Sequence, residues 1–327
     1  MRLRALVPVL LLIGMSIPTA TAADQHPLVV TTIAPLASIV KEAFGGSVGV
    51  TYIIPPGADP HEYQLSADQI NLLERADVVV TTGGHLPVEK KIAELVREGT
   101  IQGQALFIED YKAEGFHYLP ETWYHGKDNP HGVWLDPYNA ISIAAATEKA
   151  LEKVDPAKAD LYRADFQAFR TRVLEVVKAY GAMVEENRTA IIQMPPDEYA
   201  VHWLEVETVA AIKPEEEVPA VGVDTLLPKA EKANLIVYGR NSPEQLKKAA
   251  EELSEKSGKP TAEITVFWAN KTYTDVLIEN TVAVLRALGG KPQVKMVQRR
   301  GNLTTYVFLS LLVGIMLGAA VGVILKR

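Results

Sequence analysis

The sequence predicts an α/β protein of two lobes, each a mainly parallel sheet with flanking helices. One long rigid helix joins the lobes, and a C-terminal transmembrane helix follows them. Three observations carry this expectation. Runs rich in β-branched residues alternate with amphipathic stretches in βαβα order on both sides of the chain's middle. The stretch from Ala157 to Glu186 holds no Pro and only one Gly, Gly181, while its apolar residues keep a helical period. Residues 303–325 carry no charge over a length sufficient to cross a bilayer.

The elements follow in order. Leu28 to Thr32 is a strand, Leu36 to Phe44 a helix ending at Gly45-Gly46, and Val48 to Ile54 the next strand. Ser66 is placed to cap a helix from Ala67 to Arg75, and Asp77 leads into the strand Val78 to Thr82. Pro87 to Glu98 is helical and Ala105 to Ile108 a strand. A polar, aromatic-rich loop from Tyr111 to Asp128 comes before two helices, the second being the long one. The alternation then restarts with the strand Thr189 to Gln193, a helix from Tyr199 and the strand Val206 to Ile212. A helix from Val223 to Ala233 leads to the strand Leu235 to Tyr238. Ser242 is expected to cap a helix from Pro243 to Ser257. Ala262 to Trp268 is the last strand, and Tyr273 to Leu288 closes the unit at Gly289-Gly290. The expected division is 23–155 for the first lobe, 156–187 for the connecting helix and 188–292 for the second lobe. A linker, 293–302, precedes the apolar stretch.

Both ends read as targeting segments. Arg2 and Arg4, the apolar run Leu6 to Ile13 and the small residues Ala20-Thr21-Ala22 form an export signal over 1–22. Residues 303–325 stop at Lys326-Arg327, the pattern of a single span with its basic end inside. Gly314, Gly318 and Gly322 line one stripe of that span and could pack against another membrane helix. The expected location is therefore the cell membrane, with the lobes on the extracytoplasmic side.

Among the 327 residues are 33 basic and 40 acidic ones, a net charge of −7. Setting aside Arg2, Arg4, Lys326 and Arg327 leaves 29 basic against 40 acidic residues, or −11, for the exported part. Such a surface speaks against nucleic acid and favours cations. The chain has no cysteine, which excludes disulfides, thiolate metal sites and a lipid on an amino-terminal Cys.

Two histidines beside prolines carry the chemistry. His61 lies in Pro55-Pro56-Gly57-Ala58-Asp59-Pro60-His61-Glu62-Tyr63, a loop stiffened before any ligand arrives. His131 lies in Asn129-Pro130-His131-Gly132-Val133-Trp134-Leu135-Asp136-Pro137. Such a pair, far apart in sequence, suggests a metal site assembled from different elements in the cleft beyond the strands' carboxyl ends. Two imidazoles alone bind weakly, so a further donor is expected. His85, in Gly83-Gly84-His85-Leu86-Pro87, follows a strand directly and would face the same cleft; the alternative is a cap of the next helix. Neutral imidazoles with a carboxylate suit Zn2+, and also Ni2+, Co2+ or copper.

With these motifs, and with Val30-Thr31-Thr32-Ile33-Ala34-Pro35-Leu36 and Ala76-Asp77-Val78-Val79-Val80, the chain resembles the zinc/manganese solute-binding receptors of ABC importers (cluster A-I). The resemblance covers nearly all of residues 27–290. It implies one divalent metal ion between the lobes, Zn2+ first and Mn2+ next, handed to an ABC transporter permease in the membrane. It implies His61 and His131 as ligands, the latter with Gly132 as an added residue before Trp134. The family's second-lobe donors fall near Met194 and near Phe267-Trp268, where no donor stands. Asp197 and Glu198, just beyond Met194, could replace the missing one. His202 is a weaker candidate, and Asp136 could orient a ligand histidine. His117 and His125 sit in the polar loop, and His26 lies in the tail. Trp203 and Trp268 either join the core or wall the cleft.

No reaction is expected, for neither HExxH nor Gly-x-Ser-x-Gly occurs. An exported metallohydrolase would depend on Glu62 as base. The other alternative is a relative that takes another solute, or serves as an adhesin, without metal.

Overall fold

The structure, a computed structural model, describes residues 26–184, 186–215 and 218–290. The export signal 1–22, the linker 293–302 and the apolar stretch 303–325 lie outside the described residues. Among the described residues, no helix is long and apolar enough to cross a membrane.

The first sheet contains β1 (Leu28–Ile33), β2 (Gly49–Ile54), β3 (Val78–Val80) and β4 (Gln104–Leu106) in the order β2-β1-β3-β4, all parallel. Its central strands are buried: Val78, Val79 and Val80 fully, and β1 everywhere beyond Leu28. The connecting helices are α1 (Ala34–Phe44), α2 (Ala67–Glu74) and α3 (Pro87–Arg97), followed by a short α4 (Ile108–Lys112). Ser66 caps α2 in a full capping box with Gln69, as its spacing predicts. Ile108 opens α4 and does not extend β4, because Asp110 turns its carboxylate onto the Phe107 N–H at 2.9 Å. Within the polar loop, β5 (Leu119–Pro120) and β6 (Asp128–Asn129) form a two-residue antiparallel pair that the sequence pattern does not announce.

Next come α5 (Pro137–Val154) and the long α6 (Ala159–Tyr180), each side flanked by a 3-10 turn at 156–158 and 181–183. The helix is shorter than its expected 157–186 because the 3-10 turns take over at both ends. Its buried stripe, Tyr162, Phe166, Phe169, Val173, Val176 and Tyr180, follows the helical period.

The second sheet orders its strands β10-β9-β7-β8, again all parallel. They are β7 (Arg188–Ile192), β8 (Val206–Ala211), β9 (Leu235–Gly239) and β10 (Thr261–Ile264). Around them lie α7 (Pro196–His202), α8 (Val223–Ala230), α9 (Glu244–Ser257) and α10 (Tyr273–Ala287). Ser242 is not the cap of α9: Pro243 takes that place, and the Ser242 hydroxyl instead meets Gln193 Oε1. β10 ends at Ile264, four residues before the expected Trp268, which turns into the core beside Tyr273.

One continuous core runs from Val29 through Phe169 to Val237 and Leu285, so the two sheets share it. A smaller cluster of Ile191, Ile212, Leu226 and Leu253 fills the outer side of the second sheet. Hydrogen bonds stitch the seam between the halves. Thr274 donates from its hydroxyl and its N–H to Glu42, at 2.6 and 2.9 Å. Ser38 Oγ donates to Lys271 O at 2.8 Å, and Trp134 Nε1 donates to Val266 O at 3.0 Å.

Candidate metal centre

Three loops converge, two of them at the carboxyl ends of first-sheet strands and one after the β5–β6 pair. His61 follows β2, His85 follows β3 and His131 follows β6. Each offers one ring nitrogen, and these atoms lie within 4.8 Å of one another. The ring centroids are 5.3 Å apart for His61 and His131, 5.4 Å for His85 and His131, and 6.2 Å for His61 and His85. Three imidazoles at that spacing form a nitrogen donor set that suits a borderline-soft divalent cation.

The same local device holds two of them. In Asp59-Pro60-His61 the Asp59 carboxylate accepts the His61 N–H at 2.8 Å, and in Asn129-Pro130-His131 the Asn129 side-chain Oδ1 accepts the His131 N–H at 3.0 Å. These Asx turns, each with a proline between, fix the backbone under the imidazole. The repeated Asx-Pro-His string was visible in the sequence and is a sharper signal than the adjacent proline alone. Asn129 does more. Its side-chain amide donates to Pro195 O and to Glu198 Oε2, both at 2.9 Å, and its backbone carbonyl accepts the Tyr199 hydroxyl at 2.6 Å. It thus ties the His131 turn to the start of α7.

Gly132, the added residue, has φ +77°, and a Cβ there would meet the backbone of Pro196 at 2.5 Å. Pro196 therefore packs directly on Gly132, with only a hydrogen atom between the two chain segments.

His85 is set by the turn before it. Gly83 and Gly84 have φ of +128° and +99°, which side chains rarely permit. Their turn lets α3 point its first residues back at the end of β3. Glu89, fully buried, accepts hydrogen bonds from Thr32 Oγ1 (2.7 Å) and Thr82 N (2.5 Å) on one oxygen. Its other oxygen accepts from Thr82 Oγ1 and Gly84 N, both at 2.9 Å. Burial raises the pKa of this carboxyl, and the four hydrogen bonds oppose the rise. The Thr82 hydroxyl also lies 3.2 Å from His85 Nδ1. Burial, with His131, His61 and Lys90 nearby, lowers the His85 pKa to about 3, so its ring is neutral at any ordinary pH. Neither Glu89 nor Thr82 was found from the sequence; an acid in the first turn of a helix usually signals only a favourable dipole.

The two carboxylates expected as replacement donors stand outside the imidazole group. Asp197 is buried and turns back on its own helix start, where Oδ2 accepts the N–H groups of Gln193 and Met194, each at 3.1 Å. Burial lifts its pKa to about 7. Glu198 accepts Trp123 Nε1 at 2.8 Å and the Asn129 amide, and burial raises its pKa as well. Asp197 thus fixes the start of α7, and Glu198 ties that helix to the polar loop. Asp136 does not orient a ligand histidine: its Oδ1 accepts the Tyr138 and Asn139 N–H groups and so caps α5. His202 is exposed at the end of α7, His117 donates its N–H to Asn139, and His125 packs on Tyr124. His26 Nδ1 meets Ser47 O. Trp203 and Trp268 belong to the core, where they help line a small cavity with Leu135 and Tyr273.

The chain is similar to known metal-binding proteins. The family described as zinc-uptake complex component A, periplasmic, matches residues 29–287. The metal ABC transporter substrate-binding lipoprotein SloC of Streptococcus mutans is 29% identical over 158 residues, 48% of this chain and 51% of that protein. The zinc-binding lipoprotein AdcA of Streptococcus pneumoniae is 24% identical over 255 residues, 73% of this chain and 50% of that protein. The chain spans about half the length of these curated relatives. Among solved structures, the solute-binding protein FpvC of Pseudomonas aeruginosa in complex with Mn2+ superposes with a TM-score of 0.66. At 21% identity, over 81% of this chain and 99% of that one, it shares the two-lobed α/β fold. The match over most of the described residues places the chain in the zinc-uptake component A family of periplasmic metal-binding proteins.

Proposed function

We propose that the protein is an extracytoplasmic receptor that captures a divalent transition-metal ion through His61, His85 and His131 and delivers it to an ABC transporter permease. The convergence of three imidazole nitrogens within 4.8 Å is the observation that carries the reading. Metal is cargo here, and affinity comes from donor geometry without a chemical reaction. A donor set of nitrogen alone favours Zn2+ over Mn2+, which prefers carboxylate and water oxygens; Ni2+ and Co2+ are competent too. The relatives' names support a metal of this class: AdcA is called zinc-binding, and FpvC holds Mn2+. The division into lobes at 23–155 and 188–292, with 156–187 between, belongs to this proposal. So does a tether formed by the uncharged residues 303–325, which would keep the receptor at the membrane beside the permease.

The test is elemental analysis of the purified full chain, followed by thermal unfolding of the stripped protein against added metals. Zinc at one hundred times its Kd is expected to stabilise the fold by about 2.7 kcal/mol. Absence of any shift with zinc, manganese, nickel and cobalt alike would overturn the reading.

A further inference from the structure

A hydrogen-bond chain runs outward from His85 through Thr82 to Glu89. Each oxygen of Glu89 faces one backbone N–H that cannot turn away, from Thr82 on Oε1 and from Gly84 on Oε2. Each also faces one hydroxyl, from Thr32 and Thr82 respectively. The four acceptor positions of an ionised carboxylate are thereby filled. The Thr82 proton is spent on Glu89, so toward His85 the same hydroxyl has only lone pairs to offer. The Nδ1 atom, 3.2 Å away, must then be the ring nitrogen carrying hydrogen.

We infer that Glu89, acting through Thr82, is a positioning residue that holds the His85 proton on Nδ1 and so turns a bare Nε2 lone pair toward His61 and His131. This rests on the metal-receptor reading for its purpose, but not for its geometry. Without the relay, the neutral ring could carry its proton on either nitrogen, and metal binding would first have to select the right form. Outer partners of this kind change metal affinity by about 10–100-fold when removed.

The experiment is a long-range 1H–15N correlation on the full, metal-free chain with labelled histidine, run beside a zinc titration. In the wild type, His85 is expected to show a protonated-type shift at Nδ1 and a lone-pair-type shift at Nε2. Thr82→Val keeps the shape, removes the hydroxyl and is expected to average the two shifts while raising the zinc Kd by about 10–100-fold. Thr82→Ser restores both. A wild-type ring protonated at Nε2 overturns the inference, as does a Thr82→Val protein with unaltered shifts. Should Thr82→Val fail to fold, the wild-type shifts alone decide. A wild type that binds no zinc defeats the receptor reading, while the ring shifts of the metal-free protein still judge the relay.

Discussion

At the scale of single residues, the histidines and the acids beside them part company. His85→Ala removes one of three donors, and the zinc Kd measured by competition with a chelator should rise by more than about 100-fold, beyond the loss expected for an outer partner. His202→Ala should leave it unchanged. Asp197 offers a pH test. Its folded pKa of about 7 lies above the unfolded value, so between roughly pH 4 and 7 the folded state holds the extra proton. Stability from this group therefore falls as pH rises through that window. Asp197→Asn keeps an oxygen for the Gln193 and Met194 N–H groups and lacks the slope, so its melting temperature should gain on wild type from pH 4 to pH 7, with zinc affinity intact. His61 and His131 stand out in the sequence because a proline stiffens the chain before each ring; the Asx two residues back, which closes each turn, shows its part only in the structure. Asp197 and Glu198 were misleading because residue type does not tell which way a carboxylate faces at a helix start. Glu89 stayed hidden because its work depends on a hydroxyl seven residues back.

The helices and strands were read from the sequence with little loss, since period and punctuation act locally. The long α6 shows the reason: its buried stripe repeats without a breaker, and only the 3-10 turns at its ends escape the pattern. Phe169, fully buried there and 6.0 Å from the Tyr273 ring, joins α6 to α10. Phe169→Ala should cost about 3–5 kcal/mol in denaturant unfolding. Ser66→Ala, which breaks the capping box of α2, should cost about 1 kcal/mol. Where local signals failed, a distant partner had won. Ser242 reads as a cap beside Pro243, yet Gln193 takes its hydroxyl, and the tail of the expected β10 turns inward because Trp268 finds the core. The β5–β6 pair is too short to leave a period, and Asn129 within it reveals its reach only across the fold.

For the whole molecule, the sequence announced two lobes but not how closely they are joined. The continuous core and the Thr274–Glu42 and Ser38–Lys271 bonds bind the halves together, and the three imidazoles all stand on loops of the first half. Zinc loading should therefore move the backbone by about 1 Å or less, as in other pre-organised sites. Small-angle scattering of loaded and stripped protein checks this, and a clear contraction on loading would contradict it. The meeting of Gly132 with Pro196 has its own consequence. A methyl group at 132 would collide with main-chain atoms, so no trimming of the proline ring could make room for it. Gly132→Ala should thus lower stability by about 1–3 kcal/mol, and Pro196→Gly should not rescue it. Position 132 works as a fixed stop: the distance at which one half seats on the other is gauged there, and no side chain can be admitted without resetting it.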